Sequence, residues 1–195
     1  MRAQNTDHLA QASNTWLRSY YFVRFAVSAA WVALAFTVAK TMPPLAAIML
    51  VAYPAWDALA NLVDAQRTGG MSRNKSQLLN FVISVLATLA VAVALTSSMN
   101  AVLAVYGVWA VLSGLFQLIT AVRRWKISGA QWSMILSGAQ SALAGIFFVK
   151  MAGGVEDIGI TDVAPYAAFG AFYFLVSAVW LTVSDIRRNS PRIAG

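Results

Sequence analysis

From Asn80 to Leu95 the chain runs without a charged residue, and five other stretches of similar length carry few charges. No feature limits the fold more. About 20 residues of helix cross the roughly 30 Å hydrocarbon core of a bilayer, and apolar stretches of that length fall near 20–40, 43–65, 77–96, 100–122, 131–150 and 163–186. The chain is 59% hydrophobic and 11% charged, against about 25% charged in ordinary soluble domains. A soluble fold of 195 residues could not hide that much apolar surface. The stretches are about twice as long as a membrane-spanning strand and lack strict alternation, which argues against a barrel. The expected fold is all-α: a polytopic six-helix transmembrane bundle over residues 20–188, with an N-terminal segment at 1–19 and a tail at 189–195.

Local punctuation agrees with these limits. Pro43 and Pro44 open the second helix, Asn100 is placed to cap the fourth, and Pro165 is placed to open the sixth. Gly69 and Gly70 follow the second helix, and Gly129 separates the fourth from the fifth. Residues 1–19 are polar and carry no small-residue cleavage site after a short apolar core, so no removable signal peptide is expected there. Leu9, Ala12, Trp16, Leu17 and Tyr20 recur at helical spacing. They describe either a short interfacial helix or a frayed tail with an aromatic anchor.

The charges sort by side. Of the 14 lysines and arginines, only Lys40 and Lys150 fall on one side. The rest, including Arg67, Arg73, Lys75, Arg123, Arg124, Lys126, Arg187 and Arg188, fall on the other. This positive-inside bias puts both termini and the loops after helices two and four in the cytoplasm, as expected of a multi-pass protein of a bacterial inner membrane. The same clusters also suit anionic lipid or a cytoplasmic partner. They account for the net charge of +7 without a nucleic-acid footprint, which would need a basic face exposed to water. On the opposite side, Glu156, Asp157 and Asp162 make the loop between helices five and six an acidic external feature, read either as a solvated turn or as a pH-responsive loop.

Chemistry is sparse. The chain has no cysteine, so it has no disulfide framework, thiolate nucleophile or cysteine metal site. Its one histidine, His8, lies before the first span. There is no HExxH pair, no histidine within the membrane to activate a serine, and no glycine-rich phosphate loop. The expectation is no catalytic residue, no metal, no cofactor and no enzymatic activity, with the bilayer as the principal partner and the ligand unknown.

The even-numbered helices look like copies. Tyr53 and Trp56 align with Tyr106 and Trp109, Tyr106-Gly107 with Phe169-Gly170, and Asn61 with Gly114 and Ser177. Ser28, Ser84 and Ser137 fall at similar depth in the odd helices, so three related hairpins are inferred. Small residues four apart provide close-packing rows: Ser137, Ser141 and Gly145 on helix five, and Ser84, Thr88 and Ala92 on helix three. These rows either pack helices or line a path with hydroxyls. A bundle this thin would be completed by self-association through a small-residue face, making a homo-oligomer.

The segments YGVWAVLSGLFQLITAVRRWK at 106–126 and GAQWSMILSGAQSALAGIFFVK at 129–150 resemble the HdeD family of bacterial acid-resistance membrane proteins. Those proteins are built from two-helix repeats with a mid-helix glycine, a basic turn, an aromatic residue and a small-residue-rich helix. The resemblance covers residues 77–188 and, more loosely, 20–66. It implies six helices in an inner membrane and a role in surviving acid, and carries over no catalytic residue. The first hairpin departs from the pattern, with Pro54 and Asn61 where helix four has Gly107 and Gly114.

One polar constellation lies within the apolar spans. Asp57, Asn61 and Asp64 are spaced i, i+4 and i+7, on one face of helix two. Counted at 1.5 Å per residue from the boundary near residue 66, Asp57 lies about 13 Å into the bilayer. An ionised carboxylate there costs about 2.5–3.5 kcal/mol and needs a partner, water or a proton. Arg24 enters from the same side on helix one. Either an Arg24–Asp57 pair pins the two helices, with Asn61 adding hydrogen bonds, or Asp57 works in an inner-facing cavity of a small transporter or channel. A non-enzymatic role in acid or envelope stress tolerance is the leading expectation, and transport the alternative.

Overall fold

A computed structural model describes residues 2–124, 131–155 and 157–189. They form six helices, α1 Arg2–Thr37, α2 Pro43–Arg67, α3 Lys75–Ala94, α4 Met99–Arg124, α5 Gln131–Ala152 and α6 Ile160–Asn189, with a short 3₁₀ turn at Ala39–Thr41. No strand occurs among the described residues. Each helix contains a membrane-length apolar section: Thr15–Thr37, Pro43–Arg67, Lys75–Ala94, Met99–Ile119, Ile135–Ala152 and Ile160–Arg187. The chain is thus an all-α, multi-pass membrane protein. Its outward side chains fit that solvent: Ile48, Val93 and Leu143 are each about two-thirds exposed, and surfaces this apolar belong in lipid. The residues ahead of the first span continue it as one helix.

The helix ends follow local chemistry, with two departures from expectation. Pro43 and Pro44 occupy the first two positions of α2. At its far end the Gly70 amide donates to the Ala65 carbonyl at 2.7 Å, closing a Schellman turn that Gly69 and Gly70 permit by taking φ of 108° and 91°. Asn74 then donates from its side-chain amide to the carbonyls of Thr68 and Gly70. Asn100 does not cap α4. Ser98 does, accepting the Ala101 amide at 3.1 Å, while the Asn100 amide reaches across to the Ala152 carbonyl at the end of α5. Because α4 starts at Met99, Ser98 holds the capping position and Asn100 already lies inside the first turn. Nor does Pro165 open α6, which starts at Ile160. Asp162, three residues after the capping position, accepts the Gly159 amide at 2.8 Å, one half of a capping box.

The helices divide into two compact units, one of residues up to Ala33 and from Ala167 onward, the other Leu34–Tyr166. In the first, α1 lies along the C-terminal part of α6. The Arg24 guanidinium sits 4.2 Å from the centre of the Phe174 ring, a cation–π contact, and Arg18 pairs with Asp185 at 3.9 Å. In the second unit the tightest pairing is α4 with α5, followed by α2 with α3 and α3 with α4.

Four glycines make the α4–α5 approach. Gly107 faces Gly145 and Gly114 faces Gly138, so closely that a β-carbon at Gly107 would lie 2.8 Å from the Gly145 carbonyl oxygen, and one at Gly114 2.5 Å from that of Gly138. On each helix the pair is spaced by seven residues, two turns, so both contacts fall on one face of an antiparallel couple. Without a hydrophobic drive between helices in lipid, such backbone contact is what holds them together.

Candidate functional site

The second unit gathers its polar side chains around the middle of α2. The local cause is Pro54, buried inside that helix, which has no amide hydrogen to offer the Leu50 carbonyl four residues back. Tyr106 of α4 supplies the missing donor: its fully buried hydroxyl donates to the Leu50 carbonyl at 2.7 Å. The proline therefore creates an acceptor inside the span, and a neighbouring helix uses it.

One turn further on, Asp57 is the acceptor of a chain of side chains from three helices. Its Oδ2 receives the Ser84 hydroxyl of α3 at 2.8 Å and the Asn61 amide at 3.0 Å. The Asn61 amide also donates to the Asp57 backbone carbonyl at 2.8 Å. Behind Ser84 the Trp109 indole of α4 donates to the serine oxygen at 3.1 Å. An indole N–H only donates, so it occupies a lone pair of Ser84 and turns the hydroxyl hydrogen toward Asp57. The chain has one direction and ends at the indole, which suits it to holding helices and not to passing protons onward. Ser84→Ala is expected to lower stability by about 1 kcal/mol, read by thermal unfolding in detergent. An unchanged midpoint would mean the link does not form.

Aromatic rings close around this chain. Trp109 meets Tyr53, Tyr106 and Tyr166 edge-on, with centroids 6.1, 5.6 and 5.9 Å away, the arrangement ring quadrupoles favour. Ser141 of α5 donates to the Ala110 carbonyl at 3.1 Å and lies 3.2 Å from the Tyr166 hydroxyl. In the register that aligns α2 with α4, Asp57 falls on Ala110. Ser141 meets the backbone carbonyl of Ala110, whereas Ser84 meets the side-chain carboxylate of Asp57.

The remaining sequence-predicted residues are placed as follows. Asp64 accepts the Gln77 amide of α3 at 3.1 Å, and its other oxygen and the Gln77 carbonyl oxygen are buried without a hydrogen-bond partner among the described residues. Arg24 belongs to the first unit, where it also donates to the Tyr20 hydroxyl at 3.1 Å; Asp57 belongs to the second. Thr88 bonds back to the Ser84 carbonyl of its own helix. The face α3 buries is Ser84, Ala87, Val91 and Ala94, because a strict four-residue step drifts off a face that repeats every 3.6 residues. Ser137 and Ser177 are half-buried, Asp157 is exposed, and Glu156 and Gly129 lie outside the described residues. Gly114, Ser141 and Gly145 are at the α4–α5 contact. Among the described residues no group of acids and histidines is arranged to hold a metal.

Tyr106, Trp109 and Tyr166 act as hydrogen-bonding groups and Asp185 pairs with Arg18, none of which the sequence marks. The repeat alignment had marked Tyr106 and Trp109 as positions, but no local signal says where their polar atoms go.

Comparison with the curated proteins finds no match, and comparison with the solved structures finds none either. Residues 81–150, from early in α3 to near the end of α5, match the family model of a short repeat of unknown function, DUF308. The stretch of this membrane protein that is similar to the DUF308 repeat is therefore the one that carries Ser84, Trp109 and all four packing glycines.

Proposed function

We propose that the chain is a non-enzymatic protein of a bacterial inner membrane, with both ends in the cytoplasm, that acts in tolerance of acid or envelope stress. The observation that carries this reading is the kind of fastening that joins α4 to α5 and α2 to α4. Gly107 and Gly114 meet Gly145 and Gly138 through backbone, and Tyr106, Ser141 and Asn100 donate to main-chain carbonyls on other helices. None of these groups changes charge in acid, so this unit keeps those interfaces where ion-paired ones would weaken. The match to the DUF308 repeat points the same way, since the HdeD proteins belong to that repeat family. Deleting the gene should reduce survival at low pH and restoring it should recover survival. Equal survival of the deleted strain would overturn the proposal.

A second reading, a small transporter or channel using Asp57 and Arg24, draws on a carboxylate only partly buried within an apolar span. Protein reconstituted in liposomes would then move protons or a solute, and Asp57→Asn with unaltered flux would remove the reason for it.

A further inference from the structure

Close to the turn that joins α2 to α3, two side chains meet with their hydrogen bonds out of balance. Asp64 Oδ2 accepts the Gln77 amide at 3.1 Å. That leaves one oxygen on each group, Asp64 Oδ1 and Gln77 Oε1, buried and without a donor among the described residues. A carboxylate and an amide carbonyl are both acceptors, so neither oxygen can serve the other as the groups stand. A buried acceptor left without a donor is costly, and a charged one more so. Asp57, two turns away on the same helix, is served differently: its Oδ2 receives both Ser84 and Asn61.

We propose that Asp64 binds a proton on Oδ1 and donates it to Gln77 Oε1, closing an acid–amide ring across the contact of α2 with α3. One proton answers both unpaired oxygens, because it turns the first into a donor and gives the second its partner. Size excludes larger ligands. Neither oxygen is open to a molecule as large as water, so a bridging water, an ammonium group or a metal ion has no room there, whereas a proton needs none. Thr68 and Asn74 tie the turn to this end of α2 through the carbonyls of Asp64 and Ala65, so the pair stays covered although Arg67 is three residues on.

The charges around the pair leave the proton in place. On α2 they are Asp57 and Arg67, in the turn Arg73 and on α3 Lys75, while α4 carries none before Arg123. Arg67, Arg73 and Lys75 are exposed, where water and salt screen them, and no cation pairs with Asp64 among the described residues. Asp57, about 10 Å along the helix, opposes a second negative charge in the same apolar span. The proton site goes beyond the stress-tolerance reading and does not depend on it. A junction that already holds its proton has no ion pair to lose as its surroundings acidify.

Infrared spectroscopy of the full chain at neutral pH, in a detergent without ester groups, tests this, because only a protonated carboxyl gives the carboxylic-acid carbonyl band. Asp64→Asn should remove from that band the intensity of one carboxyl per chain. Its thermal midpoint should equal that of the wild type, since the new side chain accepts the Gln77 amide with its carbonyl and donates to Gln77 Oε1 with its own amide, making both bonds of the ring. Gln77→Met should keep the band and move it to higher frequency, because the acid carbonyl loses its donor; this variant reads the ring even where Asp64→Asn fails to fold. Asp57→Asn should leave that intensity in place. An identical band in the wild type and Asp64→Asn would overturn the proposal, and so would a band unmoved in Gln77→Met. Loss of the intensity in Asp57→Asn alone would also overturn it, placing the proton on the other carboxyl.

Discussion

Alanine at position 114 is expected to part α4 from α5 and to cost about 3 kcal/mol, the upper end of the usual range for overpacking. The added carbon would lie 2.5 Å from the Gly138 carbonyl oxygen and 2.6 Å from the Ala142 nitrogen. Both are backbone atoms, so no rotamer change can make room, and one helix must move. Once it moves, the Gly107–Gly145 contact two turns away opens as well, and the Ser141 bond to Ala110 lengthens. Gly153→Ala is the control, since its carbon would meet only the Lys150 carbonyl oxygen, at an ordinary 3.6 Å. Its effect should stay within about 0.5 kcal/mol. Thermal unfolding of the purified proteins in detergent separates the two, and equal midpoints would show that the glycine contact is not as close as described.

Tyr106→Phe is expected to cost about 2 kcal/mol, because it leaves the Leu50 carbonyl unpaired in a region without water. The sharper expectation concerns Pro54. In a Pro54→Ala background residue 54 regains an amide hydrogen that reaches the same carbonyl, so Tyr106→Phe should then cost about 1 kcal/mol less. A double-mutant cycle read by unfolding measures that difference. Strictly additive effects would mean that the tyrosine and the proline do not share the Leu50 oxygen.

These two cases also show how far the chain could be read in one dimension. A proline inside an apolar stretch leaves the carbonyl four residues back without its amide, and the four-residue spacing of Asp57 and Asn61 suits their bond, because both follow from helix geometry within one segment. Gly107, Gly114 and Gly145 were visible as small residues, but their pairing with Gly138 and across helices was not, since it depends on the rotation of two helices about their own axes. Asn100 was misjudged for a similar reason: its local position suits a cap, and the carbonyl that claims it lies 52 residues away.

The number of spans and the helical state of each follow from apolar length and backbone self-satisfaction in lipid, which neighbouring residues settle among themselves. Which helices touch, and that Ser84 and Trp109 converge on Asp57 while Tyr106 serves Leu50, was decided only when the helices packed. Side chains from separate segments meet at angles and registers that interhelical contact chooses, and no spacing within a single segment encodes them.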